Sequence, residues 1–180
     1  MMFARPTLSW LRKFRRDEDG NSTIEFVLVV PFIMTIFLCS FEMGLMMIRN
    51  VMLERGVDLA VRSVRLGTTN QVNADQLRDM VCNGAGIIPD CQSAVKIEMV
   101  RIDTAAWVDI PRDADCVDRN DPAAPARSFT TGGMNELMVL RVCALFDPIF
   151  PTTGLGFRMP KESNGAYAIV TTSAFVMEPG

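Results

Sequence analysis

One carboxylate stands at the entrance of a long apolar run. Glu25 is followed by Phe26 and residues 27–48, among which Glu42 is the one further charge. A carboxylate within a bilayer costs roughly 2.5–3.5 kcal/mol on insertion scales, so Glu25 is expected to have a cationic partner. The simpler explanation places Glu25 at the membrane surface, where the positive N-terminal end of a helix dipole favours a negative charge. Gly20 lies five residues before it, directly after a charged segment.

The composition gives little support for enzymatic activity, metal binding or nucleic-acid binding. The 180 residues contain no histidine, which excludes a Ser-His-Asp triad, a Cys-His pair and any histidine-ligated metal within this chain. The aspartates between 113 and 121 lack the glycine and terminal glutamate of an EF-hand loop. The net charge of −3 argues against nucleic acid as a partner. We therefore predict no enzymatic activity, no bound metal and no cofactor.

The apolar run is long enough to cross a membrane. As a helix, residues 26–48 would measure roughly 34 Å, against a hydrocarbon core of about 30 Å. A secretory signal has a shorter apolar region of about 7–15 residues, and its cleavage site follows that region. Beyond residue 48 the apolar side chains recur at helical spacing among charged ones, so this part needs a protein surface to cover it. We predict one helix over 22–66, bent or loosened at Pro31.

A small mixed domain is predicted to follow the helix. We expect a short helix over 73–82, capped by Asn73, and three strands over 94–102, 136–146 and 166–177. The polar stretch 103–133 between the first two strands is typical of a functional or mobile loop. Three strands need a further layer to form a core, and the long helix would supply it. The predicted fold class is α+β, with the long helix packed on a small antiparallel sheet.

The cysteines indicate the environment of this domain. One cysteine, Cys39, lies inside the apolar run, and four lie beyond it: Cys82, Cys91, Cys116 and Cys143. An even set outside the membrane fits an oxidising exterior, and four cysteines allow three pairings. We favour the first with the second, which are close in sequence, and the third with the fourth, which would tie the long loop to a strand. The alternative is a set of buried free thiols. Positive charges give a weaker indication of orientation, with five in residues 5–16 and four in residues 49–65.

Several motifs in the first third of the chain resemble one family. Gly20 and Glu25, preceded by the basic leader 12–16, resemble a type IV prepilin processing site. The string Glu-Phe-Val-Leu-Val-Val-Pro at 25–31 resembles the core of the TadE-like minor pseudopilins of the tight-adherence (Flp) pilus. The Phe-Glu-Met-Gly step at 41–44 and the small-residue and arginine pattern of 56–65 are similar to later parts of that family's pattern.

This resemblance implies a role in assembly rather than in catalysis. A prepilin peptidase would remove residues 1–20 as a leader peptide by cutting after Gly20, which frees a charged amine on Asn21. Residues 21–66 would form the transmembrane and assembly helix, and residues 67–180 an exterior α+β head with two disulfides. The residues implied in assembly are Glu25, Phe26, Pro31, Glu42 and Gly44.

The resemblance also implies partners and a location. The partners would be the major Flp pilin, other minor pilins of the TadF-like kind, the prepilin peptidase, the inner-membrane assembly platform and the lipid bilayer. The chain would cross the bacterial inner membrane once, with the N-terminus in the cytoplasm and the head in the periplasm, and enter the pilus after assembly.

Two questions stay open from the sequence. We expect Glu42 either to reach toward the exterior surface beside Arg49 or to pair with the helix of another pilin. Gly44 and Gly56 each have another small residue four positions away, which favours close helix approach. Without processing, the chain would instead be a single-pass anchored module with a periplasmic binding or sensing head.

Overall fold

One long helix and a compact head make up the fold. The computed structural model describes residues 21–66, 72–106, 110–152, 154–162 and 165–178. Helix α1 (Asn21–Arg65) continues through Pro31 without ending there. The head contains α2 (Ala74–Ala85), α3 (Cys91–Ala94), β1 (Val95–Ile102), β2 (Leu137–Phe146), α4 (Gly154–Arg158) and β3 (Tyr167–Val176). The predicted α+β class is confirmed, and the predicted leader with Gly20 lies outside the described residues.

The three strands form one antiparallel sheet in the order β1-β2-β3. Its register places Met99 opposite Leu140, and Leu140 opposite Ser173. Because side chains alternate along a strand, one face of the sheet carries most of the buried apolar residues and packs against the helices. That face includes Val95, Ile97, Met99, Leu140, Val142 and Ile169.

The second half of α1 supplies the other side of this core. Its buried residues recur at helical spacing, as predicted: Leu53, Val57, Ala60, Val61 and Val64. Helix α2 begins at a capping box, in which the side chain of Asn73 accepts a hydrogen bond from the amide of Gln76 and the reverse bond is also present. The helix extends beyond the predicted end at residue 82 and stops at Gly86, whose φ of 64° suits glycine.

Helices α1 and α2 meet backbone to backbone at Gly56. A Cβ added at Gly56 would collide with the carbonyl oxygen of Val81 and lie 3.0 Å from the amide nitrogen of Ala85. A Cβ added at Gly84 would lie 2.9 Å from the Cα of Gly56. The close approach that the sequence indicated at Gly56 is therefore made within this chain, to its own α2.

Alanine at position 56 is expected to destabilise the head even though alanine is the better helix former. The added methyl meets backbone atoms that cannot turn aside, and overpacking of this kind costs about 1–3 kcal/mol. At roughly 4 °C per kcal/mol for a domain of this size, the melting temperature should fall by several degrees. Thermal unfolding of the detergent-solubilised chain measures the effect.

Gly44→Ala is the matched control for that substitution. It lies in the same helix, but an added Cβ there meets no atom within 4 Å. Its melting temperature should stay level or rise slightly, because alanine in a helix is favoured over glycine by roughly 0.5–1 kcal/mol. Equal destabilisation by the two variants would contradict the backbone contact at Gly56.

In the long loop, residues 111–117 lie on the outer face of β1 and β2, and residues 128–130 hydrogen-bond to Met99 along the free edge of β1. Lys96 of β1 lies 3.2 Å from the Asp115 carboxylate. Glu98 and Arg141 lie opposite each other in the sheet and are buried, with Arg141 Nη2 2.6 Å from the Glu98 carboxylate. Arg141 Nη1 also donates to the carbonyl of Pro111 at 2.5 Å. A stretch that reads as a polar loop is therefore a third layer, held by charges on the sheet.

Two disulfides join these layers in the pairing that the sequence favoured. Cys82 is bonded to Cys91, which links α2 to α3, with a Cα–Cα distance of 5.7 Å. Cys116 is bonded to Cys143, which links the long loop to β2. Cys39 on α1 is a free cysteine. The two closed loops stabilise the head because they reduce the conformational freedom of the unfolded chain.

Candidate assembly site on the N-terminal helix

The head does not cover the first half of α1, residues 22–37. From residue 22 to residue 37 the side chains are exposed around the whole helix, apart from the half-exposed Val30. Phe32 is 73% exposed, although it is among the largest apolar side chains of the helix. Within the described residues this is the one helix long and apolar enough to cross a membrane. A helix that is apolar on every side and is not covered by the head is suited to contact with lipid or with the helices of other subunits.

The predicted assembly residues near the start of α1 are all exposed. Glu25 lies beside exposed Phe26, and no residue in the described part of the chain forms a hydrogen bond or ion pair with its carboxylate. Pro31 has no amide hydrogen, so the carbonyl of Val27 loses its usual helical donor. The hydroxyl of Thr35 donates to the Pro31 carbonyl at 2.7 Å, which satisfies that hydroxyl within the helix.

Glu42, by contrast, has a partner inside the chain. It is 2% exposed, and its Oε1 accepts hydrogen bonds from the backbone amides of Ile149 at 3.1 Å and Phe150 at 3.5 Å. This contact differs from both sequence expectations, since Glu42 neither reaches toward the surface beside Arg49 nor leaves its carboxylate open to another pilin. The loop after β2 turns back onto α1, and its amides satisfy a carboxylate that would otherwise be buried without partners.

The segment that donates hydrogen bonds to Glu42 lies at the end of the head nearest the uncovered half of α1. We call its described residues, 147–152 and 154–158, the foot. Gly154 has a φ of 47° and lies so close to Cys39 that an added Cβ would collide with the sulfur. Glycine is required there both by the left-handed backbone and by the contact. The foot is therefore attached to α1 at two neighbouring levels, Cys39 and Glu42.

Arg49 connects α1 to the sheet, about two helical turns after Glu42. Its guanidinium donates a hydrogen bond to the Tyr167 hydroxyl at 2.7 Å and lies 4.9 Å from the centre of the Phe146 ring. The stacking of a cation over an aromatic ring is favourable when the site is partly desolvated. Burial raises the pKa of Tyr167, while the Arg49 charge acts in the opposite direction. The tyrosine therefore remains a neutral hydroxyl that accepts from Arg49 at physiological pH.

The predicted assembly residues do not form a single site. Glu25 and Glu42 are separated by about 25 Å along the helix. Gly44 has no atom within 4 Å of an added Cβ, so its side of α1 is open in this chain. Sequence reasoning gave no assembly role to Arg49, which joins the helix to the head. The sequence features that could have indicated this contact are a lone arginine at the end of the apolar run and the one tyrosine of the chain.

Comparison with known proteins locates the family pattern on this helix. Searches of curated proteins and of solved structures found no significant match. A family model described as TadE-like protein matches residues 20–62, which include the bare half of α1, Glu25, Glu42 and Gly44. Proteins of this family are pilus-related and generally not enzymes. The match and the membrane-length helix together fit a pilin-like protein of a tight-adherence system. Residues 20–62, about a quarter of the chain, are thus similar to the TadE-like family, which their motifs resembled.

Proposed function

We propose that this chain is a minor pseudopilin that assembles into a tight-adherence (Flp) pilus used in adhesion or secretion. A prepilin peptidase cuts after Gly20, and α1 then moves from the inner membrane into the packed helices of the filament. The observation that carries the proposal is the TadE-like match over 20–62, which includes the whole stretch of helix that the head leaves uncovered, residues 22–37, and continues into the half that packs on the head. A role in initiation, at the base or at the tip accounts for a head much larger than that of the abundant Flp pilins.

Glu25 supplies the polar contact that this assembly needs. Cleavage creates an ammonium group on Asn21, about 6 Å along the helix from Glu25 at 1.5 Å per residue. In a bundle of such helices, the amine of one subunit neutralises the Glu25 carboxylate of the next. The apolar faces around this pair exclude water, so the pair is stronger there than at an exposed surface.

The direct test is the intact mass and the N-terminal residue of the protein purified from its native membrane. The comparison uses cells with and without the prepilin peptidase. A start at Asn21 that depends on the peptidase supports the proposal. A start at Met1 in both cells would leave an unprocessed anchored module with a binding or sensing head, and the pilus role would be wrong.

Gly20→Arg is expected to abolish processing. A long charged side chain at the cleavage position leaves no room for the close backbone approach that glycine permits in a protease site. The chain should keep residues 1–20 in cells with an active peptidase. Mass spectrometry of the membrane fraction measures this, and Gly44→Ala should be processed normally as the control.

A further inference from the structure

The foot lies at the level where the membrane should end. From residue 22 to Cys39 the helix rises about 26 Å, and from residue 22 to Glu42 about 30 Å. The hydrocarbon core of a bilayer is also about 30 Å thick. Cys39 and Glu42 are the two positions at which α1 holds the foot. The uncovered stretch of α1 begins at residue 22 and ends where the foot begins, so the span is placed from residue 22 rather than from residue 26, where the apolar run begins. This placement brings the foot to the outer boundary of the hydrocarbon.

The foot also presents apolar side chains that the head does not cover. Ile149 is 46% exposed and Phe157 is 71% exposed. The amide of Ile149 is one of those bonded to Glu42, and Phe157 lies three residues after Gly154, less than one helical turn from the contact with Cys39. Both side chains are thus held close to the level of the boundary.

The charges around the foot fit the same position. Arg158 and Lys161 follow Phe157 and are exposed, and long basic side chains at a membrane surface reach the phosphate groups while their stems stay in apolar surroundings. Of the nearby acidic residues, Asp147 at the start of the foot is paired with Arg119 at 2.7 Å, and exposed Glu162 lies beside Lys161. Glu42 is enclosed by the foot, which shields its carboxylate from lipid.

We propose that the foot is a lipid-docking surface, which inserts Ile149 and Phe157 into the interface of the outer leaflet beside α1. Docking of the foot next to the helix gives the head two adjacent supports on the bilayer. The head then stands in one orientation before assembly instead of turning about a single helix. This inference rests on the part of the proposed function that places α1 across the membrane.

Single-tryptophan variants in phosphatidylcholine vesicles test the docking. The native tryptophans are removed as W10F and W107F, and F157W or I149W then reports on the foot. Vesicles with brominated acyl chains should quench both reporters relative to matched vesicles without bromine, and the emission of both should lie to the blue of that of a water-exposed tryptophan. M134W is the matched control, since Met134 is 68% exposed at the opposite end of the head, next to β2 and far from α4. Its emission should not respond to bromine.

F32W separates failure of the foot from failure of the membrane helix. Quenching of F32W without quenching of F157W and I149W would overturn the docking and leave the span in place. Absence of quenching in F32W would overturn the span and the docking together. If bromine does not quench the foot reporters but their fluorescence changes with the protein-to-lipid ratio, the foot contacts a second copy of the chain. That result also overturns the lipid proposal.

Discussion

Replacement of Glu25 by alanine should leave the protein inserted and processed but absent from filaments. The membrane-inserted chain tolerates the change because alanine costs less than glutamate in an apolar environment. The assembled state loses the carboxylate that neutralises the Asn21 amine of a neighbour, which leaves that ammonium group unpaired among apolar helices. The amount in sheared pili should fall by about tenfold or more, which corresponds to a loss of about 1.4 kcal/mol or more. Quantitative immunoblots of sheared and membrane fractions measure it.

Two variants show whether charge is the cause. Glu25→Gln keeps the shape without the charge and should fail in the same way. Glu54→Ala changes an exposed glutamate of the same helix, bonded at 3.3 Å to the side chain of Asn50, and should assemble normally. Pili that contain normal amounts of the Glu25→Ala protein would rule out the assembly role of this carboxylate.

Glu98→Ala is expected to destabilise the head strongly. It leaves the Arg141 guanidinium buried without its carboxylate, and the Ser128 hydroxyl loses its acceptor at 3.2 Å. Loss of one partner of a buried ion pair costs about 3–5 kcal/mol. Hydrogen exchange of peptides from β1 and β2 should accelerate by more than about a hundredfold, since each 1.4 kcal/mol is a factor of ten.

An exposed ion pair of the same sheet provides the control. Arg101 and Glu136 lie 2.6 Å apart near the surface, and Arg101→Ala, which leaves the Gly133 amide bonded to Glu136, should cost about 1 kcal/mol or less. A double variant, Glu98→Met with Arg141→Leu, should regain much of the lost stability because no unpaired charge remains. Similar costs for Glu98→Ala and Arg101→Ala would show that burial does not control the Glu98 pair.

The long helix and the strands could be predicted because their signals are local. An unbroken apolar run, continued by an amphipathic pattern, indicated one helix, and its observed bounds, Asn21–Arg65, lie within one residue of the prediction. The strand bounds are as close, since each strand has its own alternation or β-branched run. The short helices α3 and α4 were not predicted, because four or five residues carry too little periodicity.

What depends on contacts across the chain was decided by the tertiary structure alone. Glu42 and Ile149 are 107 positions apart, and no local pattern indicates that a loop amide will meet that carboxylate. Glu98 occupies a polar position of an alternating strand, and it is buried only because the loop 110–130 returns to cover it. The position of the foot along α1 likewise follows from its contacts with Cys39 and Glu42. The sequence alone determined the elements and the family motifs on the helix, whereas the structure decided which charges are enclosed and where the foot contacts α1, because packing brings together residues that lie far apart in the sequence.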